Sequence, residues 1–481
     1  MTGKTRVHRW LMLPTLVVTT VIYAQSPIAV ADTWSGAIEP PGGRLAIVVR
    51  LRTASDGSWS GTIDIPQQGA RAVPLTDVVV NPPAVSFRIP KAPGGPTIRL
   101  TISDDGARMT GTLSQGGGTV PVNLARGEPA AEAAPKRPQM PSRPFPYLEE
   151  EVTFRNEAAS LQLAGTLTQP PSAGPFAAVL LITGSGPQDR DETLFGHKPF
   201  LVLADHLTRA GIAVLRVDDR GVGRSGRGPA EVTSADFVGD VRAGIAFLQK
   251  RAGIDSARIG LIGHSEGAML AAMAAASSPD VAFIVMLAGP GLPGDEILYA
   301  QAAMLFKASG VSDATIAWDR SVRERVFSEL KAETDGRPNA GLRQKLLDDL
   351  ASENAAAPGS PDGAAAHRLG EALLTAGSDP WLRFFLTYDP RPVLAKVRVP
   401  VLAVGGERDL QVAAAENLRE IERTVRTGGN ADVTTVLLPN LNHLLQTSAS
   451  GLPNEYATIE ETISPAALTL VTDWLLKRTA R

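Results

Sequence analysis

The chain has 481 residues, 43% of them hydrophobic and 20% charged, a balance that allows several buried cores and excludes a disordered or fibrous protein. Its net charge of −3 leaves no basic footprint for nucleic acid. Without any cysteine it can hold no disulfide, zinc-thiolate site, cysteine nucleophile or lipidated cysteine.

Residues 1–31 read as a secretory signal peptide. Lys4, Arg6 and Arg9 precede an apolar segment over 10–24, and Ala29-Val30-Ala31 offers a small-x-small cleavage site before Asp32. The apolar stretch is short for a membrane span and is broken by Gln25-Ser26-Pro27, so the expectation is an exported, periplasmic or secreted protein with no stable membrane insertion after cleavage.

Residues 32–126 are expected to form a small all-β domain. Short alternating runs at 45–51, 86–89, 97–102 and 119–124 are separated by Asp-Gly or Gly-rich turns. A small element recurs as T-W-S-G-A-I at 33–38, S-W-S-G-T-I at 58–63 and R-M-T-G-T-L at 108–113. A glycine inside a strand marks a bulge or tight bend, which suits a curved sheet or barrel. Residues 127–147 scatter prolines among alanines and charges and read as a semi-rigid linker.

Over 148–481 strands and helices alternate. The strand candidates at 177–182, 212–217, 259–262, 281–287 and 399–404 are nearly continuous apolar runs, as a parallel sheet covered on both faces requires. With helices expected at 199–210 and 233–251, the pattern predicts a doubly wound, mostly parallel α/β sheet. Between about 291 and 395 the rhythm breaks into helical repeats, Val322/Val326/Leu330 and Leu342/Leu346/Leu350, each on one helix face. That interval is too long for a crossover and predicts a helical lid inserted at one end of the sheet, with its apolar side chains lining the substrate pocket.

The stretch G-H-S-E-G at 263–267 stands between the strand at 259–262 and an alanine-rich helix. A serine on such a turn is exposed beside free helix N–H groups, which suits Ser265 to nucleophilic attack. A hydroxyl needs a base, and the base a group that fixes its tautomer. Only His443 lies beyond the strand at 399–404, in the loop after a last strand candidate at 433–438. For the acid, Gly405-Gly406-Glu407-Arg408-Asp409 offers Asp409 as first choice and Glu407 as the alternative. An oxyanion hole needs two backbone N–H donors. Glu266 supplies one, and the glycine-rich loop at 183–191 the other, from Ser185 or alternatively Gly186. Gly221 and Gly223 have the wrong spacing for a dinucleotide loop, and His197, His206, His264 and His367 show no metal spacing, so neither cofactor nor metal is expected.

Together, I-T-G-S-G-P-Q-D-R-D-E, D-D-R-G-V-G-R-S, G-H-S-E-G, F-L-T-Y-D-P, G-G-E-R-D-L-Q-V and L-N-H-L resemble the α/β-hydrolase superfamily over about 150–481. Within it they are similar to bacterial exported serine esterases that carry an N-terminal non-catalytic β domain. The resemblance implies Ser265, Asp409 and His443 as the triad. Thr183 stands where many relatives carry a histidine, which leaves the second oxyanion donor open. The expected activity is a serine carboxylic-ester hydrolase on small or medium acyl esters. A serine peptidase or amidase of the same fold, and an envelope-binding protein with an accessory hydrolase domain, are the alternatives.

Overall fold

In the computed structural model the described residues are 30–39, 44–66, 70–90, 96–115, 118–129, 135–229, 231–333, 337–353 and 361–480. The leader expected over 1–31 therefore lies, except for its last two residues, outside the described residues.

Nine antiparallel strands follow: β1 (Asp32–Ile38), β2 (Leu45–Thr53), β3 (Trp59–Ile65), β4 (Ala70–Pro74), β5 (Thr76–Asn81), β6 (Ala84–Arg88), β7 (Thr97–Ile102), β8 (Arg108–Gln115) and β9 (Gly118–Arg126). Their order in the sheet is β4-β3-β2-β1-β9-β8-β7-β6-β5. The two end strands are thus consecutive in sequence, and the Leu75 N–H between them donates to the Gly61 carbonyl at 2.9 Å, which rolls the sheet into a nearly closed barrel. The recurring glycine is what permits the curvature. A Cβ at Gly36 would lie 1.9 Å from the Asn123 carbonyl oxygen, and one at Gly111 2.0 Å from that of Arg99. Alternate side chains fill the interior, with Trp34, Ile47, Ile63, Phe87, Ile98 and Met109 fully buried.

Residues 135–147 run along the second domain rather than away from it. The Arg137 guanidinium donates to the carbonyls of Phe195, Ala457 and Ile459 at 2.8–3.0 Å. Gln139 bonds the backbone of Thr462 and Ile463, and the Tyr147 hydroxyl meets Asp205 at 2.9 Å.

The second sheet has eight strands: β10 (Leu148–Asn156), β11 (Leu161–Gln169), β12 (Phe176–Ile182), β13 (Ala213–Val217), β14 (Ile254–His264), β15 (Ile284–Leu287), β16 (Val401–Gly406) and β17 (Val433–Leu438). Their order is β10-β11-β13-β12-β14-β15-β16-β17, antiparallel as far as the β11–β13 pair and parallel from there on. The opening hairpin β10–β11 is not among the apolar runs of the sequence. β10 alternates exposed and buried positions at the sheet edge, and β11 is buried at all but its two glutamines although it also carries threonine and glycine.

Helices α1 (Pro199–Arg209), α2 (Ser234–Gln249) and α3 (Glu266–Ser277) cover the first half of the sheet. Helices α4 (Gly294–Ala308), α5 (Asp313–Ala332), α6 (Ala340–Ala351), α7 (Gly363–Ala376), α8 (Pro380–Thr387) and α9 (Arg391–Leu394) stand between β15 and β16, and α10 (Ala414–Thr427) and α11 (Pro465–Thr479) complete the fold. One face is packed by α2, α3 and α10 through Val238, Leu270 and Ile421, the other by α1 and α11 through Leu203 and Leu475. Each such side chain contributes about 1.5–3 kcal/mol on burial. The inserted helices have a core of their own around Tyr299, Phe327 and Leu374. Val322, Val326 and Leu330 face it, as their spacing predicts. The second stripe holds only in part: Leu350 is buried, but Leu342 is 49% exposed. Helix α6 packs through the end of its stripe, so the stripe's start is left to solvent.

Candidate active site

Ser265 stands between β14 and α3 with φ 54° and ψ −118°, a left-handed conformation that costs a serine about 1–3 kcal/mol. Backbone bonds hold it there, from its own N–H to the Leu287 carbonyl at 2.8 Å and from the Ala268 N–H to its carbonyl at 3.0 Å. The flanking glycines are required by close approach. A Cβ at Gly263 would lie 2.0 Å from the Gly267 carbonyl oxygen, and one at Gly267 2.1 Å from that of Ile182. Gly267→Ala is therefore expected to cost about 1–3 kcal/mol, seen as a drop of several degrees in Tm, and to displace the serine.

The candidate acid and histidine come from the loops after the last two strands, β16 and β17. Asp409 follows β16, and its Oδ1 accepts from the N–H groups of Gln411 and Val412 at 2.8 and 2.9 Å. Its Oδ2 accepts from His443 Nδ1 at 2.8 Å, and both residues are buried. That bond fixes the tautomer and leaves Nε2 as the nitrogen able to take a proton. The loops are interlocked: Arg408 N–H donates to the Leu441 carbonyl at 2.8 Å and Glu407 N–H to that of Leu438 at 2.9 Å. Asn442, fully buried, shapes the histidine's turn by accepting from the N–H groups of Leu444 and Gln446. Glu407 points elsewhere. It is exposed and accepts from Asn440 N–H at 3.1 Å, so of the two candidate acids the structure brings Asp409 to the histidine. The Ser265 hydroxyl makes no hydrogen bond among the described residues; such bonds often tighten only when substrate is bound.

The loop after β12 lies against the serine. A Cβ at Gly184 would be 3.4 Å from Ser265 Cβ. Gly184 N–H is already engaged, donating to Glu192 Oε1 at 2.7 Å. Those of Ser185 and Gly186 have no protein acceptor among the described residues, and Glu266 opens α3, where backbone N–H groups lack intrahelical partners. Both loop candidates thus stay available beside Glu266. Thr183 donates its hydroxyl to Asp219 Oδ1 at 2.9 Å, and Asp219 Oδ2 accepts from Gln188 N–H at 2.9 Å, which braces the loop from below. Burial, helped by the charges of Glu192 and Glu266, pushes Asp219 up to about 7. The next residue, Arg220, pairs with Asp240 at 2.5 Å, a structural role.

Four further residues belong to the site. Glu192 and His264 form a buried pair beneath the serine, at 2.9 Å. Glu266 sends its side chain away from the backbone N–H, to the Ser234 hydroxyl at 2.6 Å and Trp381 Nε1 at 2.8 Å, and its burial raises its pKa. Asp219 is the third and Trp381, on α8 of the insertion, the fourth. Glu192, Asp219 and His264 all stand in or next to the motifs of the sequence, but spacing alone gave no reason to single them out.

Beside the loop after β12 opens a cavity of about 770 Å³. Its walls include Leu163, Leu180, Phe237, Val241 and Leu270, and Thr183–Pro187, Asp219 and Glu266 line it where it meets the site. Among the described residues the insertion contributes Asp379 and Trp381 to this cavity, while its helices turn apolar side chains into a core of their own. No group of three or more His, Cys, Asp or Glu among the described residues is arranged to hold a metal.

A strand order of 1-2-4-3-5-6-7-8, a serine on the turn after the fifth strand, and an acid and histidine on loops further along define an α/β-hydrolase fold. A family model described as serine aminopeptidase, S33, matches residues 198–346, which include Ser265 but neither Asp409 nor His443. The chain is 25% identical over 305 residues to esterase EstD of Thermotoga maritima, spanning 62% of each protein. Solved structures with a likeness include a Pyrococcus furiosus esterase, at 15% identity and TM-score 0.41, covering 73% of this chain and 100% of that one. Another is Est1E of Butyrivibrio proteoclasticus with ferulic acid bound, at 16% identity and TM-score 0.38, covering 69% and 100%.

Proposed function

We propose that the chain is a serine carboxylic-ester hydrolase that acts on small or medium acyl esters through an acyl-enzyme on Ser265. The observation that carries this reading is the buried 2.8 Å bond from His443 Nδ1 to Asp409, on loops that follow a serine held at positive φ. His443 Nε2 takes the Ser265 proton as the hydroxyl attacks the ester carbonyl, and Asp409 stabilises the imidazolium. The oxyanion is met by the N–H of Glu266 and that of Ser185 or Gly186. The alcohol leaves with the proton from His443, and a water activated by the same base releases the acid. No cofactor or metal takes part in these steps. An exported, periplasmic or secreted location, with the leader removed before Asp32, belongs to the same proposal.

The acyl chain enters the cavity between β11–β13 and α2–α3, whose volume falls in the roughly 300–1,000 Å³ range of small-ligand sites. Leu270→Trp fills it and is expected to lower kcat/KM for the longest accepted acyl group by about tenfold or more while acetate esters change little. An unchanged acyl ranking would remove the cavity from the assignment. The name of the matching family model favours a second reading, a peptidase or amidase at the same site. One comparison separates the two: fluorophosphonate labelling of the full chain, then rates on p-nitrophenyl esters of rising acyl length beside a peptide p-nitroanilide. Labelled protein that turns over the esters faster supports the esterase, and faster anilide cleavage selects the peptidase.

A further inference from the structure

The Glu192–His264 pair has no part in the steps above, yet it touches both halves of the machinery. His264 precedes Ser265 on β14 and is 6% exposed; Glu192 is 1% exposed. His264 Nε2 faces the carbonyl oxygen of His443 at 3.0 Å, and its Nδ1 faces Glu192 Oε1 at 2.9 Å. The same Oε1 accepts from Gly184 N–H at 2.7 Å. A single chain of hydrogen bonds therefore runs from the oxyanion loop through Glu192 and His264 to the backbone of the histidine loop.

The chemistry of the partners fixes the protonation of the ring. A carbonyl oxygen only accepts, so Nε2 carries a proton. A carboxylate oxygen that already accepts from an amide is also an acceptor for Nδ1, so that nitrogen carries one as well. A ring with two N–H donors is an imidazolium. We propose that His264 is a positioning residue, held as an imidazolium between Glu192 and the His443 carbonyl, that fixes the backbone of the histidine loop so that the His443 ring stays placed to act as the base. The inference rests on the reading of His443 as that base.

The two imidazole rings lie 4.9 Å apart between centroids. Glu192 supplies the charge that holds the proton on His264. Burial alone would strip it, but Glu192, with the His443 carbonyl and Asp409, lifts the group to about 9. The charged and titratable groups facing this cluster are Glu192 from the oxyanion side, Asp409 from the acid loop, and Asp219, whose carboxyl feels the charges of Glu192 and Glu266. The Tyr456 hydroxyl bonds the His443 backbone and Gln411, and its pKa is raised, so it stays neutral through the working range.

Two measurements on the full chain test this. Selective 15N-histidine labelling, with His264→Asn to assign the signal, reads the protonation of His264 directly. Two protonated ring nitrogens at pH 7.5, one lost only near pH 9, are expected, and a neutral ring at pH 7.5 overturns the proposal. The second uses Glu192→Gln, which removes the charge while its amide still accepts from Gly184 and can donate to a neutral His264. In this variant His264 is expected to show a single protonated ring nitrogen at pH 7.5, and kcat to fall by several-fold or more with KM little changed. Two protonated ring nitrogens kept in the variant, or an unchanged kcat, overturn the proposal; if the variant does not fold, the wild-type nitrogen signals decide it. A wild type that shows the imidazolium but neither labels nor turns over esters breaks the proposed activity, whereas an active wild type with a neutral His264 breaks only this inference.

Discussion

Ser265→Ala in the full chain abolishes fluorophosphonate labelling and lowers ester turnover by about 10⁴-fold or more, with KM and Tm little changed. The size of the effect follows from covalent catalysis. Without the hydroxyl no acyl-enzyme forms, and what remains is hydrolysis by a water placed near His443 with the oxyanion donors still in position. The fold is expected to tolerate the change. The serine is bound to its surroundings by its backbone, to Leu287 and Ala268, while its hydroxyl makes no hydrogen bond among the described residues. Alanine keeps the Cβ that the positive φ already accommodates. Steady-state rates on a p-nitrophenyl ester, with a thermal melt of each protein, read the result. A variant that retains wild-type turnover would move the chemistry away from this turn.

Asp409→Asn lowers kcat by about 10⁴-fold, and Glu407→Gln leaves it within a factor of a few. The introduced carboxamide can still accept from Gln411 and Val412, so the loop keeps its shape, but it carries no charge to balance an imidazolium and can present its N–H to Nδ1. In that case the proton moves to Nε2, and the base has no lone pair for the serine. Glu407 lacks any such contact; it holds the turn at Asn440 from an exposed position. The pair of variants therefore separates the two carboxylates of one five-residue loop by a single kinetic measurement. Equal losses would mean that the loop's shape, and not the bond to His443, sets the rate.

The pair Glu192–His264 would place a second carboxylate–imidazole unit back to back with the first, with the two imidazole rings between the two carboxylates. The outer carboxylate also holds the loop after β12, so in the proposed mechanism the acid, the base and the anion-stabilising N–H groups share one buried network rather than three independent loops. Trp381 adds a link to the insertion by bonding the Glu266 carboxylate.

The sequence by itself determined the elements whose physics is local. Apolar runs located the parallel strands β12 to β16, since a strand buried on both faces has no polar side to hide it. Gly263 and Gly267 marked the turn, because a side chain at either would collide with backbone, and of the acid and histidine expected further along the chain the structure brings Asp409 and His443 together. The in-strand glycines of the repeated W-S-G element likewise announced a curved β domain. Tertiary structure alone decided the rest. The β10–β11 hairpin drew its burial from neighbours far along the chain, and the choice between Asp409 and Glu407 depended on which carboxylate the interlocked loops turn inward. The cavity passed to α2 and α3 once the inserted helices had closed on themselves. Glu192 and His264 are 72 positions apart, and Trp381 stands 115 from Glu266. Neither pairing leaves a period or spacing in the sequence, because a buried polar group is satisfied by whichever partner the packed chain brings within reach.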